Sequence, residues 1–181
     1  MKGIKVSGEI KRKLIEKDKV KLFYMHESEK ELNDVITSMM KYSNNFTANQ
    51  IFLTVGANLY GEPATVEKGV NALSAFLKEG YGIADAAISE GSGISRKNKI
   101  SAEDFMKILY NYKDEHIDTL KENGGVPYKT GTLEDVKSAA GFIKGKNGEL
   151  YSFVIMLNSE RDASKRGKIL KLIEGMIYGE N

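Results

Sequence analysis

The chain has 181 residues, enough for one domain with a real hydrophobic core. Its 27 basic and 25 acidic side chains nearly cancel, and a net charge of +2 gives no argument for nucleic acid or a membrane surface as partner. The absence of cysteine excludes disulfides and thiol catalysis, and the only histidines, His26 and His116, are too far apart in sequence to suggest a metal site or a Ser-His-Asp triad.

No run is long and apolar enough to span a bilayer, and Met1-Lys2-Gly3-Ile4-Lys5 has charge but no apolar core of a signal peptide. Residues 1–19 are lysine-rich, with a short strand expected around Ile4–Val6 and a solvated, partly helical stretch behind it. Val20–Tyr24 alternates partially and reads as a strand. Ser28 with Glu31 three residues on is a capping-box pattern that opens a helix. Leu32, Val35, Ile36, Met39 and Met40 give that helix one apolar face, and it should stop near Tyr42. Asn44 and Asn45 then place a connecting loop. A second helix is expected over 47–59 with Ile51, Phe52 and Val55 inward, ended by Gly61-Glu62-Pro63. Thr65 caps a third, whose buried face would be Val66, Val70, Leu73, Phe76 and Leu77.

Ile83–Ile88 is short and apolar, as a strand would be, and a Gly91-Ser92-Gly93 loop follows. Ser101 with Asp104 caps a fourth helix through about Tyr112, with Phe105, Ile108 and Leu109 facing the core. A short link over 114–123 leads to Gly124-Gly125. Tyr128–Leu133, Val136–Lys144 and Leu150–Leu157 read as three antiparallel strands, the last two joined at Asn147-Gly148, a hairpin signal. Residues 163–178 form a closing helix, with Ile169, Leu172, Ile173 and Met176 on one face. There is no internal repeat or linker, so 1–181 is expected to be a single domain of α+β class.

Three stretches carry chemistry. In Tyr128-Lys129-Thr130-Gly131-Thr132-Leu133 a cation, a hydroxyl and a residue without Cβ sit in a row, which suits an anionic ligand lying along a sheet edge. Upstream, Ser43-Asn44-Asn45 carries Ser-x-Asn. Between them lies Glu90-Gly91-Ser92-Gly93-Ile94-Ser95-Arg96-Lys97-Asn98. Singly, each has a bland reading: Ser43 as a helix-end residue, Asn45 as a cap, Arg96 as one more exposed cation. Together and in this order the functional reading is the stronger one.

Ser-x-Asn and Lys-Thr-Gly are two of the marks of the penicillin-interacting serine enzymes. From about residue 20 onward the chain resembles the C-terminal part of a D-alanyl-D-alanine carboxypeptidase/endopeptidase of the low-molecular-mass penicillin-binding group. Glu90 and Ile94 stand where that group usually has Asp and Leu, and the link between Tyr112 and Tyr128 is shorter than usual. The resemblance implies a β-lactamase/transpeptidase-like fold, present in part, of helices, a C-terminal antiparallel sheet and a final helix. It implies catalytic roles for Ser43 (proton relay), Asn45 (a hydrogen bond to the substrate backbone) and Lys129. Lys129 and Thr130 would hold a terminal carboxylate, Gly131 would allow close approach, Thr132 would give an oxyanion N–H, and Arg96 would face the peptide stem.

The group's nucleophile stands in a Ser-x-x-Lys far upstream of Ser-x-Asn, at the start of its own helix. The Ser-x-x-Lys here, Ser38-Met39-Met40-Lys41, lies within the helix leading to Ser43 and is read as accidental. The chain is therefore expected to be a fragment, inactive alone, of a serine-type enzyme acting on peptidoglycan stem peptides outside the cytoplasmic membrane. Its expected partners are a stem peptide or β-lactam, the N-terminal half of the same domain, and a second copy at the exposed sheet edge. No cofactor or metal is expected. The alternative is a non-catalytic module that binds peptidoglycan or β-lactams, and a weaker one is a structural domain with motif remnants.

Overall fold

The computed structural model describes residues 3, 5, 7–158, 161–162 and 164–179. Chain contacts divide it into two units, 1–30 and 31–181. In the first unit the described residues form one 3-10 turn, Lys17–Lys19. Ile4 and Val6, expected in a short strand, lie outside the described residues. Val20–Tyr24 is not a strand. It has no pairing partner among the described residues, and Leu22 and Phe23 are 75% and 101% exposed, so the alternation has no surface there to pack on.

The second unit begins with α1 (Leu32–Tyr42), α2 (Asn45–Tyr60), α3 (Val66–Tyr81) and α4 (Ala102–His116). Helix α1 starts later than Ser28 suggests. Its N-cap is Glu31, whose N–H donates to Asp34 Oδ2 at 3.2 Å, while Ser28 Oγ only accepts from Lys30 N–H. The caps of α3 and α4 are those the sequence indicates: Thr65 accepts from Lys68 N–H and Ser101 from Asp104 N–H. Helices α2 and α3 pack through small residues. A Cβ on Gly56 would stand 2.5 Å from Gly69 N, and one on Gly69 would stand 2.5 Å from the Phe52 ring. The close approach buries Phe52, Ala72 and Leu77. It leaves Val55, Val66 and Phe76 exposed, so the expected apolar faces are only partly used. Ile83 is buried, but 83–88 contributes only a single bridge, Ala87 to Lys99.

Strands β1 (Glu122–Asn123), β2 (Val126–Thr132), β3 (Val136–Lys144) and β4 (Leu150–Asn158) form an antiparallel sheet in that order, and α5 (Ser164–Tyr178) closes the fold. Gly148 takes a positive φ of 81° in the β3–β4 hairpin. Period-two alternation gives the sheet two apolar faces. Val126, Ala139, Ile143, Phe153 and Ile155 pack under α5 through Leu170, Ile169, Ile173 and Ile177. Leu172 and Met176 of α5 point away and are exposed. On the other face Phe142 meets Leu109 and Leu120, with Met40 of α1 and Met106 of α4 packed against them. Burial of each such side chain is worth about 1.5–3 kcal/mol. This second cluster anchors the C-terminal end of α1 beside β3 and β4. The architecture is thus the α+β arrangement of helices, antiparallel sheet and final helix.

Candidate functional site

Two walls form a groove of about 430 Å³. One is the α1–α2 junction with the loop after Glu90: Ser43, Asn44, Asn45, Ala48 and Gly91–Ile94. The other is Lys129–Leu133 with Val136 and Ser138. Its size is that of a small-ligand site. A larger open groove of about 800 Å³ beside α4, lined by Tyr81, Met106 and Tyr110, holds none of the motif residues.

Ser43 ends α1 with φ 53°, the one positive φ among the described non-glycine residues, and its N–H donates to Met39 O. That left-handed turn lets α2 begin two residues later. Asn44 is the N-cap of α2, accepting from Thr47 N–H at 2.9 Å. Asn45 is therefore the first helical residue rather than part of a loop. The helix start costs nothing here, because Asn44 is a good cap residue.

The opposite wall is a free strand edge. β1 pairs only with Val126 and Pro127, so among the described residues β2 has no outer strand neighbour from Lys129 onward. Lys129 Nζ donates to Thr130 O at 3.1 Å and to Ser43 Oγ. Thr130 O thus faces the groove, and by strand alternation the Thr132 N–H and C=O face the same edge. Burial pushes the Lys129 ammonium below the ordinary lysine pKa.

The loop between the walls is held by a polar network. Burial alone would raise the Glu90 pKa. Hydrogen bonds from the Ser92 hydroxyl and the N–H groups of Ser92, Ser95 and Gly93 outweigh it and bring Glu90 down to about 2. Asn98 Nδ2 donates to Glu90 Oε1 at 2.6 Å, and its Oδ1 accepts from Ser89 N–H at 2.7 Å. Asn49 Oδ1 accepts from Gly91 N–H at 2.8 Å. A Cβ on Gly91 would stand 2.5 Å from Phe52 Cβ, so the loop lies directly on α2.

Of the residues singled out from sequence, Ser43, Asn45, Lys129, Thr130, Gly131 and Thr132 all line this groove. Arg96 does not line it: its Nε and Nη2 both donate to Asp135 Oδ1, at 3.0 and 2.5 Å, tying the Glu90 loop to the β2–β3 turn. The same turn is held by Lys137, whose buried ammonium donates to Leu133 O and Glu134 O. Ser38 is exposed in the middle of α1 and does not line the groove. Sequence reasoning missed Asn49, Asn98, Ser138 and Arg166. Asn49 follows Asn45 by one helical turn and could have been found, and Asn98 ends the Glu90 stretch without having been given a role; nothing in the pattern marks the other two.

The D-Ala-D-Ala carboxypeptidase 3 (S13) family matches residues 1–122 and 116–175. The match begins before residue 20, where the motifs first suggest it. Among curated proteins, the D-alanyl-D-alanine carboxypeptidase DacB of Haemophilus influenzae is 31% identical over 83% of this chain and 37% of its own length. A D-alanyl-D-alanine carboxypeptidase of an Actinomadura species is 25% identical over 71% of this chain and 28% of its own. The chain thus spans about a third of the length of the curated relatives it matches. Among solved structures, penicillin binding protein 4 of H. influenzae in complex with a β-lactam superposes with TM-score 0.71 at 24% identity, covering 80% of this chain and 41% of the other. A predatory endopeptidase of Bdellovibrio bacteriovorus, solved with an immunity protein, gives TM-score 0.61 at 23% identity over 81% and 43%. The fold is that of the penicillin-binding and β-lactamase-like enzymes.

Proposed function

The chain belongs to the D-Ala-D-Ala carboxypeptidase 3 (S13) family, and from that membership and the groove we propose that it serves serine-type hydrolysis of D-Ala-D-Ala-ended peptidoglycan stem peptides, as carboxypeptidase or endopeptidase. The observation that carries this is the meeting of Lys129 with Ser43 beside a free strand edge. A peptide can add itself to that edge through main-chain hydrogen bonds. Its terminal carboxylate would rest on Lys129 and Thr130, a charge-assisted pairing. Asn45 would bond the substrate backbone, and the Thr132 N–H would face the developing oxyanion.

Lys129 donates to Ser43 Oγ, so the Ser43 proton is free to be handed onward. That suits transfer to a leaving amine nitrogen, with the partly desolvated lysine tuning the hydroxyl. The acylated serine in this reading comes from a Ser-x-x-Lys segment other than Ser38–Lys41, because Ser38 is exposed and mid-helix. Arg96 would meet an acidic stem side chain in exchange for Asp135. The place of action is the peptidoglycan, outside the cytoplasmic membrane.

One observation favours the alternative of a binding module that does not cleave: Ser38, the serine of the Ser-x-x-Lys in this sequence, is exposed on α1 and does not line the groove. The two readings share the ligand, which is the first thing to test. The full chain would be titrated, by residue-resolved NMR, with diacetyl-lysyl-D-alanyl-D-alanine and with its C-terminal amide. Shifts at Ser43, Asn45 and Lys129–Thr132 with the acid, lost in Lys129→Met, support the reading. Equal responses to acid and amide, or none in the groove, contradict it.

A further inference from the structure

The end of β2 that carries Gly131 and Thr132 is gripped from behind by a residue no motif contains. Arg166, in the first turn of α5, turns Nη1 onto Gly131 O at 3.0 Å, Thr132 Oγ1 at 3.0 Å and Ser138 O at 3.2 Å. Gly131 and Ser138 are register partners, so the guanidinium lies over one rung of the β2–β3 ladder. On the groove face of the same rung, a Cβ on Gly131 would stand 2.4 Å from Ser138 Oγ. The serine side chain fills the place that a side chain on residue 131 would take. The strand end is therefore clamped between Ser138 on one face and Arg166 on the other. Among the described residues no outer strand pairs with this end, because β1 stops pairing at Pro127.

We propose that Arg166 is a positioning residue: it locks the Gly131–Thr132 end of β2, and with it the direction of the Thr132 N–H and the register of a carboxylate-ended ligand along the strand edge. This rests on the reading of the groove given above. A guanidinium suits the task because it is planar, always charged and able to hold several acceptors in a fixed geometry, whereas an ammonium is a flexible point charge. Half-buried beside Thr132, it also adds positive potential at the end of the groove where a carboxylate would lie. Its place on α5 couples the groove to the packing of Leu170 and Ile169 under the sheet.

The test uses the full chain with Arg166→Met and Arg166→Lys. Two quantities are read: residue-resolved amide hydrogen exchange without ligand, and affinity for diacetyl-lysyl-D-alanyl-D-alanine and its C-terminal amide. Arg166→Met is expected to speed exchange at Gly131, Thr132 and Ser138 while Phe142, Ile143 and Phe153 stay as they are. It should also bring the acid-over-amide preference close to unity. Arg166→Lys should restore part of that preference without restoring the exchange protection. A wild-type chain that prefers the acid, with an Arg166→Met variant that keeps the same preference, overturns the proposal alone. A wild-type chain that binds neither peptide overturns the reading of the groove and this proposal with it.

Discussion

The Lys129 ammonium donates to the Ser43 hydroxyl, joining the free edge of β2 to the end of α1 across 86 positions of sequence. Ser43 also holds a left-handed backbone, which costs a non-glycine residue about 1–2 kcal/mol. Two substitutions separate these effects. Ser43→Ala removes the acceptor and keeps the backbone cost, and should lose about 1–2 kcal/mol by leaving the ammonium under-bonded. Ser43→Gly removes the same hydroxyl but relaxes the turn, and should be the more stable of the two by about 1 kcal/mol. Urea unfolding of both variants checks the order; equal stability would mean that the turn carries no strain.

Glu90 predicts an acid-labile loop. Its folded pKa of about 2 lies below the ordinary glutamate value of 4.5, so its contribution is present above pH 4.5 and is lost as pH falls towards 2. Glu90→Gln should cost about 1–2 kcal/mol at neutral pH after allowance for solvent screening. It should also flatten the stability profile between pH 4.5 and 2. Unfolding at several pH values for both proteins checks this. An unchanged slope in the variant would show that other carboxylates set the acid limit.

Gly56 predicts a packing limit between α2 and α3. The atoms a Cβ would meet are the backbone of Lys68 and Gly69, which cannot step aside as a side chain can. Gly56→Ala should therefore lose about 2 kcal/mol, overpacking outweighing the gain of roughly 1 kcal/mol in helix propensity. A thermal melt several degrees lower is the expected reading; a melt at or above that of the wild type would show that the helices can separate.

Local signals in the sequence hold at most helix ends and strands, although the Ser28 capping pattern is displaced to Glu31. Thr65 and Ser101 cap the helices they precede, and β3 runs from Val136 to Lys144 as the alternation indicates. The motif residues converge because Met40 is drawn into the cluster of Leu109, Leu120 and Phe142, which sets the end of α1 beside the sheet. What could not be read depends on partners far away in the chain. Val20–Tyr24 has the residues of a strand but no neighbour to pair with among the described residues. Phe76 and Met176 fit an apolar period, yet α3 packs through Gly69 and α5 through Ile169, Leu170, Ile173 and Ile177, which leaves both exposed. Arg166 is an ordinary helix residue until α5 is laid under Gly131 and Ser138.

Ser38→Ala addresses the nucleophile. Ser38 is exposed on α1 and lies outside the groove lined by Ser43 and Lys129. The chain by itself is expected to form no covalent adduct with a labelled penicillin, by intact-mass measurement. A mass gain of one acyl unit that disappears in Ser38→Ala would make Ser38–Lys41 a functional Ser-x-x-Lys.

The central claim is that Ser43 and Lys129 enclose one partly desolvated groove in this chain. The most direct measurement is an NMR titration of the Lys129 side chain in the native protein and in urea. Desolvation lowers the folded pKa, so Lys129 should lose its proton at a lower pH in the native state than in urea. By linkage, the chain should gain stability as pH rises from that folded value towards 10.5, the ordinary lysine value. In the native state its ammonium protons should exchange slowly, and Ser43→Ala should abolish that protection. A Lys129 that titrates alike in both states, with no response to Ser43→Ala, would contradict the account.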